Sequence, residues 1–163
     1  MDKISWIKDL VHAEQAMEES GMIDFNAGFD PQRLISEESL HFLNDLKISF
    51  VDSVTTFNQL KGSPLGRIKV YGISNTEADF MLFRNGFKLI FSLKRPGHIS
   101  IKFHYVGSNF MPNAGDANDQ GEDQLIAKWG PFGDLVWTYN DQSLKIDFLV
   151  RYYLSRFVKE SAK

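Results

Sequence analysis

The most constraining stretch of the sequence runs from Phe87 to Tyr105. Its apolar residues fall on every second position: Phe87, Leu89, Phe91 and Leu93, then Ile99, Ile101, Phe103 and Tyr105. A period of two places all of them on one face of a pleated sheet. The alternate positions include Lys88, Lys94, His98, Lys102 and His104. One face of the hairpin is therefore built for a core, and the other is lined with potential cations.

Parity fixes the pairing. Asn85-Gly86 is a strong two-residue hairpin signal; it sets Arg84 against Phe87, Leu82 against Leu89 and Phe80 against Phe91. Across Lys94-Arg95-Pro96-Gly97-His98 a two-residue loop would split the apolar face, because a slip of one residue turns every side chain over. An odd loop instead sets Leu93 against Ile99, Phe91 against Ile101 and Leu89 against Phe103. On the polar face it pairs Lys88 with His104, Ile90 with Lys102, Ser92 with Ser100 and Lys94 with His98.

Further strands are expected over residues 67–73, 124–129, 134–139 and 143–148. The last two pair Tyr139 with Leu144, Trp137 with Ile146 and Leu135 with Phe148. Residues 107–124 form a polar excursion rich in Gly, Asn and Asp, too long for an ordinary hairpin loop.

Helical periodicity brackets this sheet region. Ile4, Ile7, Leu10, Val11, Ala13 and Met17 keep a 3.6-residue spacing over 4–20, and Gly21 ends the run. Residues 22–35 read as a packed connection. A long helix of about 25 residues is predicted from Ser36, with Leu40, Leu43, Leu46, Phe50, Val54, Phe57 and Leu60 as its stripe, closed by Gly62 and Pro64. A final helix is expected over 147–160 on Leu149, Tyr152, Tyr153 and Phe157.

The prediction is one α+β domain spanning 1–163: two N-terminal helices, a mostly antiparallel six- or seven-stranded meander sheet and a C-terminal helix. The helices pack on one sheet face. At 163 residues the chain is long enough for its own core, and 14 Phe supply much of the apolar volume.

Composition removes several functional classes. There is no cysteine, which excludes disulfides, thiolate metal sites and a cysteine nucleophile. The N-terminus carries charges throughout and reads as neither signal peptide nor membrane span, so a soluble cytoplasmic protein with no membrane association is expected. Gly-rich phosphate loops and the G-x-S-x-G context of a serine nucleophile are absent. Asp116, Asn118, Gln120 and Gly121 match half of a calcium loop, but Ala127 stands where the bidentate Glu belongs. His98 and His104 lie about 20 Å apart along an extended strand at about 3.3 Å per residue, too far to share an ion. No cofactor and no metal are expected.

Charge is unevenly spread. Residues 1–60 hold eleven acids against four bases, and residues 67–104 hold seven bases against two acids. The basic sheet face could bind a partner, or stand solvated, or be complemented by the acidic N-terminal segment. Candidate binding residues are Lys88, Lys94, Arg95, His98, Lys102 and His104 on that face, with Trp129 and Phe132 at a turn as exposed aromatic contacts.

The leading functional expectation is a non-enzymatic protein-binding module of immunity, adaptor or chaperone type, with another protein as partner and a monomer or homodimer as its state. A small-molecule or lipid binder, or an enzyme, with an aromatic pocket between sheet and helices is the alternative. Nucleic-acid binding through the sheet face ranks last, since a pI near 5.8 falls short of a basic footprint and only Phe83 and Tyr71 could stack there.

Overall fold

The computed structural model describes residues 4–105 and 121–162. Two helices come first, α1 (Ser5–Ser20) and α2 (Pro31–Lys61). Seven strands follow: β1 (Lys69–Gly72), β2 (Phe80–Arg84), β3 (Phe87–Arg95), β4 (His98–Tyr105), β5 (Glu122–Trp129), β6 (Leu135–Tyr139) and β7 (Gln142–Ser143). Helix α3 (Ile146–Ser161) closes the chain. The strands form one antiparallel meander in sequence order, and α2 and α3 pack on the same face of it. The architecture is the α+β arrangement read from the sequence.

Helix α2 is 31 residues long, about 46 Å at 1.5 Å per residue. It begins five residues before the predicted Ser36. The Asp30 carboxylate accepts hydrogen bonds from the Gln32 and Arg33 amides at 3.2 and 3.4 Å, and Pro31 occupies the first helical position, where its missing N–H costs nothing. An Asp-Pro pair read as part of a packed connection is here the start signal. Leu43, Leu46, Phe50 and Val54 are buried from this helix, whereas Leu60 at its end is exposed. Gly21 and Gly62 close α1 and α2 in the left-handed conformation.

Phe50 packs against Phe80 and Phe91, whose rings stack 4.7 Å apart. Leu82, Leu89, Ile99, Ile101 and Leu125 extend this core along the sheet, and Leu149, Tyr153 and Phe157 cover it from α3. The predicted β2–β3 register is observed throughout, as is the β3–β4 register from Lys88–His104 to Leu93–Ile99.

Within the sheet, four features differ from expectation. Lys94 does not pair with His98; a bulge lies between Leu93 and Arg95, and Arg95 pairs with His98 instead. The bulge adds the residue that parity required while keeping a tight Pro96-Gly97 turn. Glu122 and Asp123, expected in the polar excursion, already belong to β5, and residues 107–120 of that excursion, with Asp116, Asn118 and Gln120, lie outside the described residues. β1 and β6 are each slightly shorter than predicted.

The fourth difference is the largest. β7 is two residues long and pairs Gln142 with Tyr139 and Ser143 with Thr138. Asn140 and Asp141 both take positive φ, 50° and 67°, which makes a two-residue turn with the twist of a hairpin. Tyr139 therefore meets Gln142 rather than Leu144, and the Trp137–Ile146 and Leu135–Phe148 pairs do not form, because the tighter turn shifts the register by two residues and the chain leaves the sheet at Leu144 to coil into α3 at Ile146.

Candidate binding surfaces

The sheet face turned away from α2 and α3 is covered by no described helix. Register sets its rows: Lys69, Phe83, Lys88 and His104 in one, then Tyr71, Met81, Ile90, Lys102 and Glu122 in the next. Met81, Phe83, Ile90, Ile126 and Val136 give the face a half-buried apolar centre inside a partly cationic border. Lys88 and His104 are direct cross-strand neighbours, as predicted.

Among the described residues, the ion pairs recorded for the acidic N-terminal segment lie within that segment. Asp9 of α1 reaches Arg33 of α2 at 3.4 Å, beside the start of α2. Complementary charge comes from the sheet itself: Glu122 stands opposite Lys102, and Asp141 binds the Lys128 ammonium.

Lys94, Arg95 and His98 do come together, around a depression of about 200 Å³ floored by the buried Ser100 and edged by Gln124. The Arg95 guanidinium lies 3.0 Å from His98 Nε2, within hydrogen-bond distance. The His98 Nδ1 is buried and has no hydrogen-bond partner among the described residues. The turn beneath is locked to α2. The Ser39 hydroxyl donates to the Ile35 carbonyl at 2.6 Å and accepts from the Gly97 amide at 2.8 Å.

Trp129 and Phe132 part company. Trp129 ends β5 and sets its ring edge-on to Phe29, 5.7 Å away, so it is half committed to packing. Phe132 sits at the tip of the β5–β6 connection, fully exposed, with φ 56° and ψ 34°. A bulky side chain in the left-handed region costs about 1–2 kcal/mol.

Two further surfaces stand out in the structure. The first is α1, expected to bury its apolar stripe. Among its 16 residues none is buried, and Trp6, Ile7 and Val11 are 44, 45 and 61% exposed. The segment after it carries Met22, Ile23 and Phe25, each more exposed still. Periodicity reports that a helix has an apolar face, not what covers it.

The second is a groove of about 560 Å³ between the β5–β7 edge and α3. Leu125, Leu149 and Tyr153 form its buried floor, and Tyr139 and Leu144 its walls. Asp123 holds the phenols: it accepts from Tyr153 at 2.5 Å and from Tyr139 at 3.3 Å. Burial raises the Tyr153 pKa strongly, and the bond to Asp123 and its charge add to the shift. The Tyr139 pKa is raised mainly by the Asp123 charge. The aromatic cluster was visible in the sequence, but the groove arises from the early end of β7, which was not.

Among the described residues no three His, Asp or Glu side chains converge on a metal-sized site, and no helix is long and apolar enough to cross a membrane. Comparison with protein-family models, with curated proteins and with solved structures found no match to this chain.

Proposed function

We propose that the chain is a non-enzymatic, cytoplasmic protein-binding module whose recognition element is α1. The supporting observation is the exposure of Trp6, Ile7 and Val11 on a helix that buries none of its own residues. Contiguous apolar side chains left in water favour a partner that covers them. An amphipathic helix laid into an apolar groove is a common way to do so, read through anchors at i, i+3 and i+4.

The charge on α1 narrows the partner. Asp9, Glu14, Glu18 and Glu19 outnumber Lys8 on the helix. A complementary groove therefore carries a basic rim, and its association rate falls with added salt. The absence of cysteine fits the cytoplasmic placement.

The test is capture from native lysate on the immobilised chain at low and high salt. The same protein should be retained by the wild type at low salt, retained less at high salt, and lost from an Ile7→Asp, Val11→Asp variant. Equal capture by wild type and variant would contradict the assignment. Sedimentation of the purified chain separates a foreign partner from a second copy of itself.

A further inference from the structure

We propose that the groove between the β5–β7 edge and α3 binds a small amphipathic monoanion, an apolar body bearing one carboxylate. This site is separate from α1 and stands on different observations.

The volume, about 560 Å³, falls within the range of small-molecule sites. Its floor is apolar and buried (Leu125, Leu149) and its aromatic walls are fixed. Tyr139 and Tyr153 are both tied to Asp123, so neither ring swings to fill the space. At the rim, Phe148 and Tyr152 are 65 and 58% exposed, large for aromatics on the flank of a core helix.

Charge along the groove picks the ligand's sign and its orientation. The Tyr–Asp123 end is negative, with both hydroxyl hydrogens already directed at the carboxylate. Phe148 and Tyr152 also border a second hollow on the outer side of α3, which Arg151 and Lys159 line. Lys145, the N-cap residue of α3, lines this groove, and Arg151, one turn beyond Phe148 on α3, lines the second hollow, so the two cations stand before and after Phe148. Neither makes an ion pair among the described residues. An apolar body therefore enters between Tyr139 and Phe148, and the carboxylate stays outside against Lys145 and Arg151. A neutral body would leave these cations unused, and a cationic one would face them directly.

Calorimetric titration of the full chain with decanoate, 1-naphthoate and decanol tests this. Saturable binding of at least one carboxylate is expected, with decanol bound at least fivefold more weakly than decanoate if the straight chain is the better fit. The tighter of decanoate and 1-naphthoate identifies the body. Lys145→Glu with Arg151→Glu should weaken carboxylate binding at least fivefold and leave decanol unchanged. Ser143→Trp, at an exposed position on the groove mouth, should weaken every ligand at least tenfold. If that variant loses its circular-dichroism melting transition, Phe148→Ala replaces it with the same expected direction. No saturable binding, equal affinity for decanoate and decanol, or insensitivity to both sets of substitutions would overturn the proposal. Binding confined to vesicles of anionic phospholipid would overturn it too, since it would make the α3 flank a membrane surface instead.

Discussion

The Asn85 side-chain amide donates to the Ser161 carbonyl at 2.7 Å, so the residue that turns the β2–β3 hairpin also closes the C-terminus of α3. Its neighbour Arg84, only 5% exposed, donates to the Val158 carbonyl at 3.4 Å and lies over the Phe57 ring. The last carbonyls of a helix lack partners within it and carry its negative pole, which a donor and a cation both satisfy. One turn thus joins the first hairpin to the last helix.

Asn85 takes φ 51°, a conformation that Asp and Gly also tolerate. Asn85→Gly keeps the turn and loses the bond, at a cost of about 1 kcal/mol. Asn85→Asp should cost more, about 2 kcal/mol, because it also sets a negative charge beside the helix C-terminus. Urea denaturation of the two variants checks the order.

Gly97 and Gly86 both adopt positive φ, 83° and 82°, but their surroundings differ. A Cβ on Gly86 would meet only Tyr105 at 3.9 Å, whereas one on Gly97 would stand 2.8 Å from Ile35 Cδ1. Gly86→Ala should cost about 1 kcal/mol from the backbone alone. Gly97→Ala should cost at least about 1 kcal/mol more, since Ile35 must move and the Gly97–Ser39 bond is disturbed. Thermal melts of the pair read the difference.

Much of the fold was legible because a period of two is unforgiving. Phe87 through Phe103 admit one register, and the structure uses it. What parity could not supply was the bulge at Lys94, which preserves the alternation by adding a residue. The Asp30-Pro31 start of α2 was hidden because the same dipeptide also opens turns. β7 was overextended because Leu144, Ile146 and Phe148 alternate like a strand, while Ile146, Leu149, Val150 and Tyr153 also fit a helix, and the core took the helix. For the candidate sites, sequence located the cations of the open sheet face and the exposed Phe132. It could not show that α1 is left uncovered, since exposure is decided by what other elements pack against, not by the helix's own pattern.

Phe132 offers a gain of stability. Replacing it with Gly, which enters the left-handed region freely, should raise the unfolding free energy by about 1 kcal/mol. Guanidinium denaturation measures it. An unchanged or lower stability would show that the ring packs on something in solution.

The Tyr153–Asp123 bond predicts an alkaline signature. The Tyr153 pKa lies well above that of a free tyrosine, about 10, so its contribution is complete below pH 10 and is lost as pH rises beyond it. Above pH 10 the unfolded phenol ionises while the folded one does not, which costs up to about 1.4 kcal/mol per pH unit. Tyr153→Phe should flatten that slope. At pH 7 it should lower stability by about 1.5 kcal/mol, since Asp123 keeps Tyr139 as a donor. Urea titrations at pH 7, 10 and 11 separate the two effects.

The central claim, that α1 is the recognition element, is tested most directly by site-specific crosslinking. A photoreactive benzoylphenylalanine at Val11, on the exposed face of α1, should join the chain to its captured partner in lysate. The same group at Gln59, exposed near the other end of α2, should not. An adduct at position 11 that disappears with Ile7→Asp, while the denaturation midpoint stays within error of wild type, is the predicted result. An adduct of equal yield from position 59, or none from position 11 while capture persists, would contradict it.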